Sequence, residues 1–249
     1  MERYCYSWAF SVQSLKAQML KELERYDTYA FLDTNGFYSN QEAQTGPVYS
    51  TYELVAGAGR RFELSPDTAN QFDELKAWAD QQQQWYFGHL GYDLKNELEN
   101  LSSQNYDYHG FPDLYGFVPE WVLTLQNGLI VLYTDSQEQA DAIYEKLQPV
   151  ADSLDQNNKP PAEQEIRFQA ELSRTAYIKR VESLIDHIIA GDIYEVNFCQ
   201  AFYAHNVELD PVQLYKVMMA VTPTPFSCLY KFRGAYVVSA SMERFMTKF

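Results

Sequence analysis

The apolar residues of this chain come in short runs, and the runs are crowded with tyrosine and phenylalanine. Leu129 to Tyr133 is among the longest. A membrane span needs about 20 successive apolar residues, so no run here predicts one. The chain holds 20 Tyr, 15 Phe and 4 Trp, together 16% of its residues. Tyr and Phe favour strands, so much of the chain should be β structure. Its 249 residues suffice for one large domain or two small ones. The hydrophobic share of 46% is that of a globular protein rather than a disordered one. The formal net charge is −15. That field disfavours nucleic acid and anionic lipid, which are themselves anionic, so no partner of either kind is expected. The start, MERYCYSWAF, lacks the basic and apolar segments of a secretory signal. Cys5, Cys199 and Cys228 are too scattered for a disulfide framework or a zinc site. A reducing, cytoplasmic setting is the expectation.

The polar stretch Asp152 to Glu165, with Pro160 and Pro161, reads as a linker. It divides the chain into 1–151, a linker over 152–167, and 168–249. In the first part, helical stripes are expected over 14–26, 66–82 and 136–147. Strands are expected over 29–32, 49–56 and 85–90. Trp121 to Leu125 and Leu129 to Thr134 flank Gln126-Asn127-Gly128, a hairpin signal. Gly57-Ala58-Gly59 reads as a turn. In the second part, Ser173 to Ala190 predicts an amphipathic helix stopped by Gly191. An apolar strand is expected over 193–202 and a short helix over 211–221. A hairpin over 226–239, turned by Arg233-Gly234, should come next, and a further strand should begin at Glu243. The sequence ends inside that strand-like run, which predicts the front part of a longer protein.

Few residues suggest chemistry by spacing alone. His89, His109, His187 and His205 show no ligand spacing, and no phosphate-binding glycine motif or nucleophile elbow is present. Gly88 and Gly91 in FGHLGYDL suit a close backbone approach, to a ligand or to a neighbouring strand. Asn197 and Gln200 are amides within an apolar run and need partners. Glu243 follows the small residues of SASM and precedes Arg244. It reads either as a half-buried acid suited to proton transfer or as a surface partner of Arg244.

Five segments then fall into one order. They are FLDT at 31–34, FGHLGYDLKNELE at 87–99, GDIYEVNFCQAF at 191–202, TPTPFSCLY at 222–230 and SASMERF at 239–245. Together they resemble component I of the anthranilate and aminodeoxychorismate synthases, which are chorismate-utilising enzymes. IYEVNFCQ and GYDLK look more like the aminodeoxychorismate, or para-aminobenzoate, branch. The resemblance implies an α+β fold of large antiparallel sheets packed as a sandwich with helices outside, incomplete at its C-terminal end. It implies chorismate as substrate, magnesium as cofactor, and ammonia from a glutamine amidotransferase subunit. It assigns Glu243 as the general acid/base that helps the 4-hydroxyl leave. It also places a tryptophan-like effector pocket at Thr34, Asn197, Pro225 and Phe226, with tryptophan as the candidate occupant.

Met242 stands where the resemblance has a proline before the glutamate. Proline fixes φ, so the approach to Glu243 is looser here. The segments expected to bind magnesium would follow Phe249, so the resemblance places no metal ligand in this chain and implies that the 249 residues alone are inactive. The alternatives are anthranilate synthase component I and a truncated, non-catalytic binding module of the same family.

Overall fold

The computed structural model describes residues 1–37, 51–65, 70–81, 84–102, 104, 106–149 and 166–246. The linker residues 152–165 lie outside this set. The chain divides into two compact units, Met1–Ser153 with Asp210–Phe249, and Leu154–Leu209. The expected division kept 168–249 together. The structure instead divides it at Asp210, because the strands beyond that point pair with strands from the front of the chain.

In chain order the first unit begins with β1 (Glu2–Ser7), α1 (Val12–Leu23), β2 (Thr28–Asp33), β3 (Leu54–Ala58) and β4 (Phe62–Leu64). Then come α2 (Gln71–Gln81), β5 (Phe87–Leu90), α3 (Lys95–Leu98), β6 (Leu114–Val118), β7 (Trp121–Gln126), β8 (Leu129–Thr134) and α4 (Gln137–Leu147). The second unit holds β9 (Gln169–Ala170), α5 (Arg174–Ala190) and β10 (Phe202–Tyr203). The first unit resumes with α6 (Pro211–Val221), β11 (Phe226–Phe232) and β12 (Ala235–Ser241).

Seven strands of the first unit form one antiparallel sheet in the order β1-β8-β7-β3-β2-β11-β12. Alternation along each strand gives the sheet two faces. One face carries Tyr29, Phe31, Leu54, Ala56, Trp121, Leu123, Ile130, Leu132 and Leu229, which pack with Leu15, Met19 and Leu23 of α1, Ile143 of α4 and Tyr215 of α6. The other face carries Ala30, Val122, Tyr230 and Phe232, which pack with Phe87, Tyr115 and Phe117 of a second sheet, ordered β4-β6-β5. The layers are therefore helices, large sheet, small sheet. The expected sandwich with helices outside is present, with one sheet much larger than the other.

The helices begin where side chains satisfy their free amides. Ser11 accepts from Ser14 N ahead of α1, Ser136 from Gln139 N ahead of α4, and Asp210 from Val212 N and Gln213 N ahead of α6. In α6 the first residue is Pro211, whose missing N–H falls where a helix has no use for one.

The two-residue turns at Asn127-Gly128 and Arg233-Gly234 take positive φ at both positions. That twist matches the hairpins they close.

Three expectations change, and one open choice is settled. Gly57 and Ala58 belong to β3, and only Gly59 turns the chain, with φ +79°. Gly57 pairs with Ala30 and Val122, and the Phe87 ring leaves no room for a side chain there; an added Cβ would lie 2.5 Å from that ring. Gly88 answers the choice left open for FGHLGYDL. It pairs with Gly116, and a Cβ there would lie 2.0 Å from the Tyr115 carbonyl oxygen, so this glycine serves sheet packing. The strand expected over 193–202 is reduced to Phe202–Tyr203, paired with β9 for two residues. Ile193, Tyr194 and Val196 of that apolar run are exposed, so it has no buried face to hold it as a strand. Beyond Ser241, residues 243–246 take no regular structure, and 247–249 lie outside the described residues.

Candidate functional site

The ends of β2 and β11 meet α1 and α6 in a buried polar cluster. Antiparallel register sets Ser227 opposite Asp33. Asp33 is 3% exposed and Ser227 1% exposed, so each polar group must find a protein partner. Lys16 Nζ of α1 lies 2.7 Å from Asp33 Oδ2. The Asn35 amide donates to Asp33 Oδ1 at 2.8 Å. The Tyr215 hydroxyl of α6 reaches Asp33 Oδ2 at 3.4 Å and Ser227 Oγ at 3.2 Å. Ser227 Oγ donates to the Asp33 carbonyl at 2.7 Å. Burial pushes the Tyr215 phenol up, and the nearby Asp33 charge adds to that, so this hydroxyl acts as a donor and not as an anion.

Asn35 takes φ +50°, a left-handed conformation that asparagine tolerates. Its side-chain Nδ2 spans the gap to β11, donating to the Thr224 carbonyl and to Ser227 Oγ, each at 2.9 Å, and reaching Met219 Sδ at 3.3 Å. Thr34 Oγ1 donates to the Glu53 carbonyl at 3.0 Å. Thr224 is 2% exposed, and its Oγ1 is buried without a hydrogen-bond partner.

Of the expected pocket residues, Thr34 follows Asp33 at the end of β2, and Pro225 and Phe226 lead into β11, which pairs with β2. Thr34 and Pro225 are buried and Phe226 is half-buried. Asn197 belongs to the second unit, where it is exposed and outside regular structure. Asp33, Asn35, Lys16, Tyr215 and Ser227 were not expected as site residues. The sequence signals were an acid ending an apolar strand run and a lysine inside the apolar stripe of α1.

Glu243 lies just past β12, whose Ser241 pairs with Phe226, so it shares one end of the sheet with the cluster. It is exposed, and its amide accepts positioning from Ser241 Oγ, to which it donates at 3.1 Å. Arg244 sits over the Phe226 ring, 5.3 Å from its centroid. Among the described residues, no group of three or more His, Cys, Asp or Glu could hold a metal ion. Nor is any described helix long and apolar enough to cross a membrane.

His89 of the glycine-rich segment lies between the sheets, ringed by Phe111, Tyr115, Tyr230 and Phe232. Its Nε2 is 2.9 Å from the Pro112 carbonyl, which can only accept, so Nε2 carries the proton. Its Nδ1 then accepts from the Tyr230 hydroxyl at 3.2 Å. Burial holds its pKa below the usual 6.5, against the opposing pull of the Pro112 carbonyl and the Asp113 charge. A depressed histidine contributes stability that is complete above its unfolded pKa and lost as pH falls from there toward the folded value. Denaturant midpoints should therefore fall as pH drops below about 6.5, and His89→Gln should flatten that limb. An unchanged acid limb in His89→Gln would show that other groups set it.

Residues 34–249 match the model of the chorismate binding enzyme family. The chain is 31% identical over 172 residues to anthranilate synthase component 1 of Cereibacter sphaeroides, covering 63% of this chain and 34% of that protein. It is 24% identical over 204 residues to aminodeoxychorismate synthase component 1 of Bacillus subtilis, covering 74% of this chain and 40% of that protein. The crystal structure of anthranilate synthase component I from Streptococcus pneumoniae TIGR4 superposes with a TM-score of 0.62 at 18% identity, covering 84% of this chain and 54% of that one. That likeness is one of fold. The chain spans between a third and two fifths of the length of these two curated relatives. The match over residues 34–249 takes in both Thr34 and Glu243 at that end of the large sheet, and the chain belongs to the chorismate binding enzyme family.

Proposed function

We propose that this chain is the front portion of component I of aminodeoxychorismate synthase, which converts chorismate and ammonia to 4-amino-4-deoxychorismate. The reading is carried by the five ordered segments within a family match over residues 34–249. The wording GDIYEVNFCQ and GYDLK supports the para-aminobenzoate branch. A glutamine amidotransferase subunit is the proposed ammonia source. Magnesium, when bound, would supply positive charge for the substrate carboxylates.

In this reading Glu243 moves the proton. Hydroxide is a poor leaving group, so the C4 oxygen must be protonated as its bond to carbon breaks. Ammonia enters at C4, water leaves, and the enolpyruvyl ether stays. An enzyme nucleophile adding first at C2 is compatible with this balance if it departs as ammonia enters. Ser241 holds the Glu243 backbone at the end of β12.

A second reading, anthranilate synthase component I, is favoured by the higher identity to the Cereibacter sphaeroides protein. There ammonia adds at C2, the C4 hydroxyl leaves, and pyruvate is then lost. The products separate the two. The protein expressed from its whole reading frame should be incubated with chorismate, ammonium and magnesium, and the products resolved by mass. A product that retains the enolpyruvyl group supports the first reading. Fluorescent anthranilate with free pyruvate supports the second. Unconsumed chorismate from folded protein would sink both.

A further inference from the structure

The chain turns twice on Asn-Gly, and the two turns share a backbone shape. Asn35 and Gly36 have φ +50° and +87°, and Asn127 and Gly128 have +50° and +73°. An asparagine before glycine is the one most prone to lose its side-chain amide, because glycine has no Cβ to block attack on Cγ. Hydroxide takes the glycine N–H proton, and the nitrogen forms a bond to Cγ. The Cγ–Nδ2 bond breaks, and ammonia leaves with a proton from water. Water then opens the succinimide ring to aspartate or isoaspartate. The balance is one water in and one ammonia out. Space is open at both turns, since a Cβ added at Gly36 or at Gly128 would meet nothing within 4 Å.

The two asparagine side chains differ. Asn127 is exposed, and the bond it makes comes from its backbone amide, to Glu53 Oε1 at 2.8 Å. Its carboxamide makes none among the described residues. Asn35 is half-buried, and its Nδ2 donates to the Thr224 carbonyl and to Ser227 Oγ, each at 2.9 Å. Nδ2 is the atom that departs, so the reaction gives up both bonds to the β11 side.

We propose that Asn35-Gly36 is a deamidation site guarded by the pairing of β2 with β11. It is closed while Nδ2 holds Thr224 and Ser227, open when that end of the sheet parts, and irreversible once used. The new carboxylate accepts but does not donate. It meets the Thr224 carbonyl, another acceptor, beside the buried charge of Asp33 that Lys16 already serves. Isoaspartate also lengthens the backbone of the turn by one carbon. An end that has opened and reacted therefore does not close as before.

The test uses the protein from its whole reading frame, held in mildly alkaline buffer. Digestion and fragment mass spectrometry locate each change from amide to acid. In the folded parent, Asn127 should convert at least about tenfold faster than Asn35, which reacts only from the opened state. In denaturing urea the two rates should converge to within about twofold, since both residues precede glycine. Ser227→Ala removes one of the two acceptors and should speed Asn35 at least about threefold, with Asn127 unchanged. Asn35→Asp should melt roughly 4–12 °C below the parent, and Asn127→Asp within about 2 °C of it. Failure of Asn35→Asp to fold agrees with that consequence, and the rates in the parent and in Ser227→Ala then decide the guard. Asn35 converting as fast as Asn127 in the folded parent overturns the guard. A rate difference that persists in urea belongs to the local sequence and overturns it equally. Asn35→Asp melting with the parent overturns the claim that conversion keeps the end from closing.

Discussion

Glu243→Gln should lower kcat for chorismate amination by roughly 10²–10⁴-fold, the usual worth of one general acid or base. The amide is nearly isosteric, and Glu243 is exposed just past β12, so folding should be unaffected. KM should change much less, because proton donation matters mainly in the transition state. Steady-state turnover with ammonium and magnesium measures both constants. Met242→Pro should be neutral or activating, since proline narrows the backbone ahead of the glutamate. Parental turnover by Glu243→Gln would leave Glu243 as a surface residue without a part in the chemistry.

The second large effect belongs to the core. Trp121→Ala should destabilise the first unit by about 3–5 kcal/mol, through lost burial and the cavity left behind. Trp121 is fully buried at the start of β7 on the helix-facing side of the large sheet. Its ring stands edge-on to Tyr26, with centroids 6.0 Å apart, and its indole N–H donates to the Tyr26 hydroxyl at 3.0 Å. Trp121→Phe keeps most of the apolar volume and should lose less than half as much. Urea unfolding of the three proteins gives the comparison. A midpoint for Trp121→Ala close to the parent's would mean that the ring is not packed as described.

These elements also show what a single sequence displays. The β7–β8 hairpin was legible because Asn127-Gly128 forces a local turn between two apolar runs. Helix α5 was legible because Ser173 caps its start and Gly191, with φ +82°, ends it. Both signals are short-range. The run 193–201 was misread because an apolar pattern predicts a strand without naming its partner. β1 was passed over although it alternates as a half-buried strand does, with Tyr4 and Tyr6 packed against the core.

The site divides along the same line. Thr34, Pro225 and Phe226 stand out through motif order, and they lie at the ends of the paired strands β2 and β11. Asn197, from the same motif reasoning, lies in the other unit. The roles of Lys16, Asp33, Tyr215 and Ser227 were hidden because their bonds cross long stretches of chain. Tyr215 and Asp33 are 182 residues apart, and no local pattern records that meeting.

The pairing of β2 with β11 also bears on how the protein is made. Asp33 and Ser227, bonded across that pair, are separated by 194 residues. A ribosome adding about 5–20 residues per second needs roughly 10–40 s to bring the second strand out after the first. Throughout that interval one edge of β2 is open to any other extended chain, and the apolar side chains of its neighbours are uncovered. Ring closure over so long a loop is also slow once synthesis ends. Yield of folded protein should therefore respond to translation speed, growth temperature and holdase chaperones more strongly than its finished core would suggest.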